Sequence, residues 1–99
     1  ANVFFVKGDE VHTPLADAFL NGITRQTVIA LLRERGVKVI ERHIRPEEMA
    51  DFEQCWLTGT AAEVTPVGSI GDYVFEVGEL TRRIAGDYEK LVRGQLVAA

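Results

Sequence analysis

A single cysteine in the sequence rules out an intrachain disulfide, and a reducing compartment, the cytoplasm, is the expected setting. Cys55 lies inside an apolar run with no activating partner beside it, so it reads as a packed thiol rather than a nucleophile. Positive charge is also scarce. Eleven Lys and Arg against fifteen Asp and Glu give a net charge of −4, without a basic stripe, which argues against nucleic-acid or membrane-surface binding. Only two histidines occur. His12, alone on an expected hairpin, reads as a surface residue, and His43 stands near Arg42 and Arg45 with no Cys or His at ligand spacing, so no metal site is expected. No apolar run is long enough to span a bilayer, and no basic-then-apolar leader precedes the first strand. Repeats and low-complexity runs are missing too. There is no initiating Met and a strand is expected by Val3, which suggests a single partial domain, residues 1–99, cut from a longer chain.

What is present suits a globular α/β domain. The apolar fraction is 46% and the charged fraction 26%. Chains of this size bury roughly two-thirds of their unfolded surface, enough for a core without metals or disulfides. Asn2 to Val6 is β-branched and aromatic and predicts a strand; Lys7 to Glu10 predicts a turn, and Val11 to Thr13 the return strand, ended by Pro14. Leu15 to Leu20 predicts a helical turn, followed by a turn at Asn21-Gly22. Thr24 looks like the N-cap of a helix from Arg25 to Arg35, with Val28, Ile29, Leu31 and Leu32 as its apolar face and Gly36 as its C′ residue.

Val37 to Ile44 alternates and predicts another strand, and Pro46-Glu47-Glu48 opens a short helix whose Met49 and Phe52 pack on the core. Further strands are expected at Gln54 to Leu57 and at Tyr73 to Phe75, with residues 68–73 as a turn. A final helix is expected from Glu79 to Arg93, stopped by Gly94 and followed by a frayed end from Leu96. Leu80, Ile84, Tyr88 and Leu91 form its stripe, and Glu79–Arg83 and Glu89–Arg93 form surface pairs. Alternating strands and helices predict a mixed sheet with flanking helices.

Two stretches carry chemistry. Cys55-Trp56-Leu57 gives way to Thr58-Gly59-Thr60-Ala61, where Gly59 leaves the backbone open and the amides of Thr60 and Ala61 can converge on an anion. An ordinary turn explains the same residues. At the start of the second helix candidate, free N–H groups and the positive dipole end favour a phosphate at Ile23 and Thr24; a plain helix cap at Thr24 has the same geometry.

The order of residues adds a resemblance. Leu57-Thr58-Gly59-Thr60-Ala61-Ala62-Glu63-Val64-Thr65-Pro66-Val67 closely resembles the signature near the end of branched-chain amino-acid aminotransferases, pyridoxal-phosphate enzymes of class IV and fold type IV. Leu20-Asn21-Gly22-Ile23-Thr24-Arg25 is similar to that family's Leu-Pro-Gly-Ile/Val-Thr-Arg, with Asn21 in place of the proline. Val77-Gly78-Glu79-Leu80-Thr81 departs from the common Gly-Pro-Val-Thr. The resemblance runs over nearly the whole chain but covers only the C-terminal part of such an enzyme, the larger domain with its mixed sheet.

It implies that Leu20 packs on the pyridine ring of pyridoxal 5'-phosphate. Ile23, Thr24 and Thr60 would bind the phosphate, and the amides of Thr60 and Ala61 the substrate carboxylate. It also implies a Schiff-base lysine, a carboxylate for the pyridine nitrogen and a phosphate-binding arginine, all at positions before Ala1; Arg25 does not substitute for that arginine, and no catalytic residue is expected in this chain. The implied function is that of a segment of a transaminase moving an amino group between Leu, Ile or Val and 2-oxoglutarate, inactive by itself. Its implied partners are the N-terminal part of the enzyme and, in the parent, a second copy in a homodimer. A non-catalytic phosphate-binding module is the alternative, as is a segment of a D-amino-acid transaminase or an aminodeoxychorismate lyase.

Overall fold

The computed structural model describes residues 2–15, 23–59 and 63–98, without the side chains of residues 63 and 93–98. A five-stranded sheet in the order β3-β2-β1-β4-β5 organises it. β1 (Asn2–Lys7) turns through Gly8, whose φ of +58° favours glycine, into antiparallel β2 (Glu10–Thr13). Helix α1 (Ile23–Glu34) then crosses over, and β3 (Lys38–Glu41) returns parallel to β2, so β2-α1-β3 is a βαβ unit inside a mixed sheet. β4 (Gln54–Gly59) runs antiparallel to β1 on its other side, and β5 (Glu63–Pro66) antiparallel to β4. β6 (Ser69–Ile70) and β7 (Tyr73–Val74) form a small hairpin, with Gly71 at φ +57° in its turn, and α2 (Glu79–Ala98) follows.

Strand alternation splits the core in two. Phe4, Val6, Val11 and Trp56 face the helices and meet Val28, Ile29, Leu32 and Ile84; Phe4 and Trp56 stack at 5.4 Å. Each such side chain, fully buried, contributes about 2 kcal/mol from its apolar area alone. Phe5 and Cys55 face the other way, against Phe52 and Phe75, with Met49, Ile70 and Tyr73 around them. The 3-10 turn Pro46–Asp51 and the β6–β7 hairpin thus cover the face opposite the helices.

α1 closes as expected: Val37 N–H donates to Leu32 O and Gly36 N–H to Arg33 O, with Gly36 at φ +78°, a Schellman ending. α2 begins on a latch from the sheet, since Gln54 Oε1 accepts from both the N–H (3.1 Å) and the hydroxyl (2.7 Å) of Thr81.

Several expectations are corrected. His12 is buried, not on the surface: Arg42 Nε donates to its Nδ1 at 3.0 Å, leaving Nε2 to donate to Glu10 Oε1 at 3.2 Å, and its ring lies 5.5 Å from Phe52. β3 ends at Glu41 instead of running to Ile44, because Ile44 turns to the second core cluster. The strand at Cys55 continues to Gly59 and acquires a partner, β5, that alternation alone did not predict. Residues 69–74, expected as a turn and a lone strand, form a hairpin. α2 passes through Gly94 to Ala98, since one interior glycine costs only about 1 kcal/mol. Leu91 lies off the buried stripe, 39% exposed. The Glu79–Arg83 pair forms; Arg93's side chain lies outside those described. Leu15 is exposed and not helical, and residues 16–20 lie outside the described residues.

Candidate functional site

The first turn of α1 is anchored by a residue whose burial the sequence did not signal. Arg25 is 1% exposed; its Nη2 donates to Pro14 O at 3.1 Å and to Glu41 Oε1 at 2.9 Å. Pro14 follows the end of β2 and Glu41 ends β3, so α1 starts over the C-terminal ends of these two parallel strands. Since β1 and β4 are antiparallel, with Asn2 opposite Thr58, the C-terminal end of β4 lies at that same end of the sheet. β2 and β4 are two strand spacings apart, roughly 10 Å. The helix start and the Gly59 corner therefore share one end of the sheet.

Helix α1 carries no acidic residue in its first turn, so no acid of its own occupies the positive end of the dipole. Ile23, the first described helical residue, is 86% exposed. Thr24 is half-buried and lies inside the helix, which corrects its expected place as the N-cap; its hydroxyl faces the Tyr88 hydroxyl of α2 at 3.4 Å. Thr58, on the helix face of β4, is fully buried and its Oγ1 has no partner among the described residues, as is true of Trp56 Nε1 two positions earlier. Buried polar atoms are nearly always hydrogen-bonded, so an orphaned hydroxyl beside this corner fits a group that brings its own polar atoms. Leu20, Thr60 and Ala61, the other expected site residues, lie outside the described residues.

Two of the three lysines stand elsewhere. Lys7 is exposed at the end of β1, and Lys38, 71% exposed along its side chain, starts β3; both mark the opposite end of the sheet. Lys90 is exposed on α2. Cys55 is buried in the second cluster, and burial pushes its thiol up to about 12, which suits the packed thiol expected of it. Among the described residues no group of His, Cys, Asp and Glu is arranged to hold a metal ion, and no helix is long and apolar enough to cross a membrane.

The sequence profile of the amino-transferase class IV family matches residues 1–70. The chain belongs to the class IV aminotransferase family. It is 41% identical over 96 residues to a probable branched-chain-amino-acid aminotransferase of Rickettsia conorii, covering 93% of this chain and 33% of that protein. The fold agrees. The branched-chain aminotransferase of Thermoproteus uzoniensis with norvaline superposes with a TM-score of 0.87 at 37% identity, covering 94% of this chain and 32% of that one. An aminotransferase from Brucella abortus bound to the co-factor PLP gives 0.84 at 39% identity, covering 92% and 33%. This class IV chain therefore spans about a third of the length of these three proteins.

Proposed function

We propose that the chain is the C-terminal segment of a cytoplasmic, homodimeric, pyridoxal-phosphate transaminase that exchanges an amino group between Leu, Ile or Val and 2-oxoglutarate. The observation that carries this reading is the acid-free start of α1 standing at the same end of the sheet as the Gly59 corner, in a chain of this family. A phosphate of nearly two negative charges suits that helix end. In this reading the Ile23 and Thr24 amides, the Thr24 hydroxyl and Thr60 bind the phosphate, and Leu20 packs on the ring. The amides of Thr60 and Ala61 receive the substrate carboxylate. Bound there, pyridoxal phosphate supplies the electron sink for loss of the amino acid's Cα proton. In this reading Arg25 does not take the place of the family's phosphate-binding arginine; its Nη2 is engaged by Pro14 O and Glu41 Oε1.

In this reading nothing in this segment moves that proton: Lys7 and Lys38 stand at the opposite end of the sheet, and Lys90 is exposed on α2. The rest of the enzyme supplies the amine and covers exposed Leu15 and Ile23. Two assays test the reading. The full-length enzyme should convert L-leucine and 2-oxoglutarate when loaded with the cofactor, and preference for a D-amino acid or for aminodeoxychorismate would reassign the substrate. The 99-residue chain should be inactive; a stoichiometric borohydride-trapped lysine adduct on it would refute the assignment.

A further inference from the structure

Two neighbouring residues of α2 hold both ends of α1. Asp87 accepts from Arg35 Nε (2.5 Å) and Nη2 (2.8 Å) just past the last turn, while Tyr88 meets Thr24 in the first turn. Those two points lie roughly 16 Å apart along a helix axis, so α2 crosses α1 and reaches out to either end of it. Sliding α1 along its axis breaks one contact or the other. α2 is itself fixed to β4 through Gln54 and Thr81, and β4 ends at Gly59. A chain of direct contacts thus runs from the β4 strand through α2 to the start of α1. Tyr88 is the member of that chain that touches a residue assigned to the ligand.

We propose that Tyr88 is a positioning residue for the phosphate-binding turn, its phenol donating to the Thr24 hydroxyl so that the hydroxyl proton is directed at the phosphate. The inference rests on the phosphate reading of Ile23 and Thr24 given above. A threonine hydroxyl has one proton to give and can accept another; with an anion before it, Thr24 donates outward and accepts from Tyr88 behind. Linked hydroxyls of this kind strengthen one another. Tyr88 packs against the helix-side core, which fixes the ring and leaves the hydroxyl at its rim.

The test is a double-mutant cycle on the full-length enzyme, read as the dissociation constant of pyridoxal phosphate and as the 31P shift of its bound phosphate. Loss of one neutral hydrogen bond corresponds to roughly a fivefold change. Tyr88→Phe should weaken cofactor binding by about that factor and move the 31P signal, with the apoenzyme's melting temperature little changed. Thr24→Val should weaken binding further, and adding Tyr88→Phe to it should do nothing more. Wild-type affinity and an unmoved 31P signal in Tyr88→Phe overturn the role of Tyr88 while leaving Thr24 in place. Effects that multiply in the double variant also overturn it. If Thr24→Val itself binds normally, the Thr24 hydroxyl does not hold the phosphate and this inference fails, while the backbone amides of the same turn are left untouched.

Discussion

Removing the carboxylate of Glu41 should destabilise the chain more than removing the guanidinium it pairs with. The pair is lopsided: the Arg25 side chain is 2% exposed and that of Glu41 38%. In Glu41→Ala the arginine stays desolvated and keeps the Pro14 carbonyl but loses the Glu41 carboxylate. Stranding a buried charge costs about 3–5 kcal/mol when both partners are deep. Because Glu41 stands partly in water and already shares its charge with solvent, the expected loss is about 2–3 kcal/mol. In Arg25→Met the apolar stem is retained, no charge is left buried, and Glu41 rehydrates, so the loss is about 1 kcal/mol. Urea denaturation followed by far-UV circular dichroism measures both, with unchanged m-values expected. A Glu41→Ala variant within 0.5 kcal/mol of wild type, or an Arg25→Met variant less stable than Glu41→Ala, would refute the reasoning.

Three further outcomes are expected. A Cβ at Gly78 would stand 2.3 Å from Gln54 Cδ, so Gly78→Ala should push Gln54 off Thr81 and cost about 1 kcal/mol, the loss of a helix cap; in a Gln54→Ala background the same change should cost much less. Cys55 should resist iodoacetamide at pH 9 in the native state and react at once in urea, since burial pushes its thiol to about 12. Glu48 is held down to about 2 by hydrogen bonds from the Arg42 side chain first and the Arg45 N–H second. Its folded value lies below its ordinary 4.5, so its stabilisation is present above pH 4.5 and fades as the pH falls toward 2; a denaturation series in Glu48→Gln should lack that part of the acid dependence.

The elements whose causes are local were legible in the sequence. The apolar stripe Val28, Ile29, Leu32 and the glycine at position 36 define α1 within a residue or two at either end. What failed depended on partners far along the chain. His12 looked like a surface residue because the arginine that satisfies its ring lies thirty positions away. β5 was missed because Glu63 to Pro66 has too few apolar residues to show a strand period and contains a proline, tolerated here on the sheet edge. Arg25 was expected only as the first residue of the helix and the end of the 20–25 motif, and its burial follows from Glu41 and Pro14, brought together by the βαβ crossover. Of the candidate site, Ile23 and Thr24 were expected from the sequence, and the structure puts the start of α1 at the end of the sheet where β4 finishes. Tyr88 gave no signal, since on the helix stripe a tyrosine and a leucine serve equally well.

The most direct test of the two-corner site is a crystal structure of the full-length enzyme with pyridoxal phosphate bound. The phosphorus is expected within hydrogen-bonding reach of the Ile23 and Thr24 amides on one side and of Thr60 on the other. A phosphate seated away from the start of α1, or Thr24 and Thr60 facing opposite sides of the molecule, would contradict it.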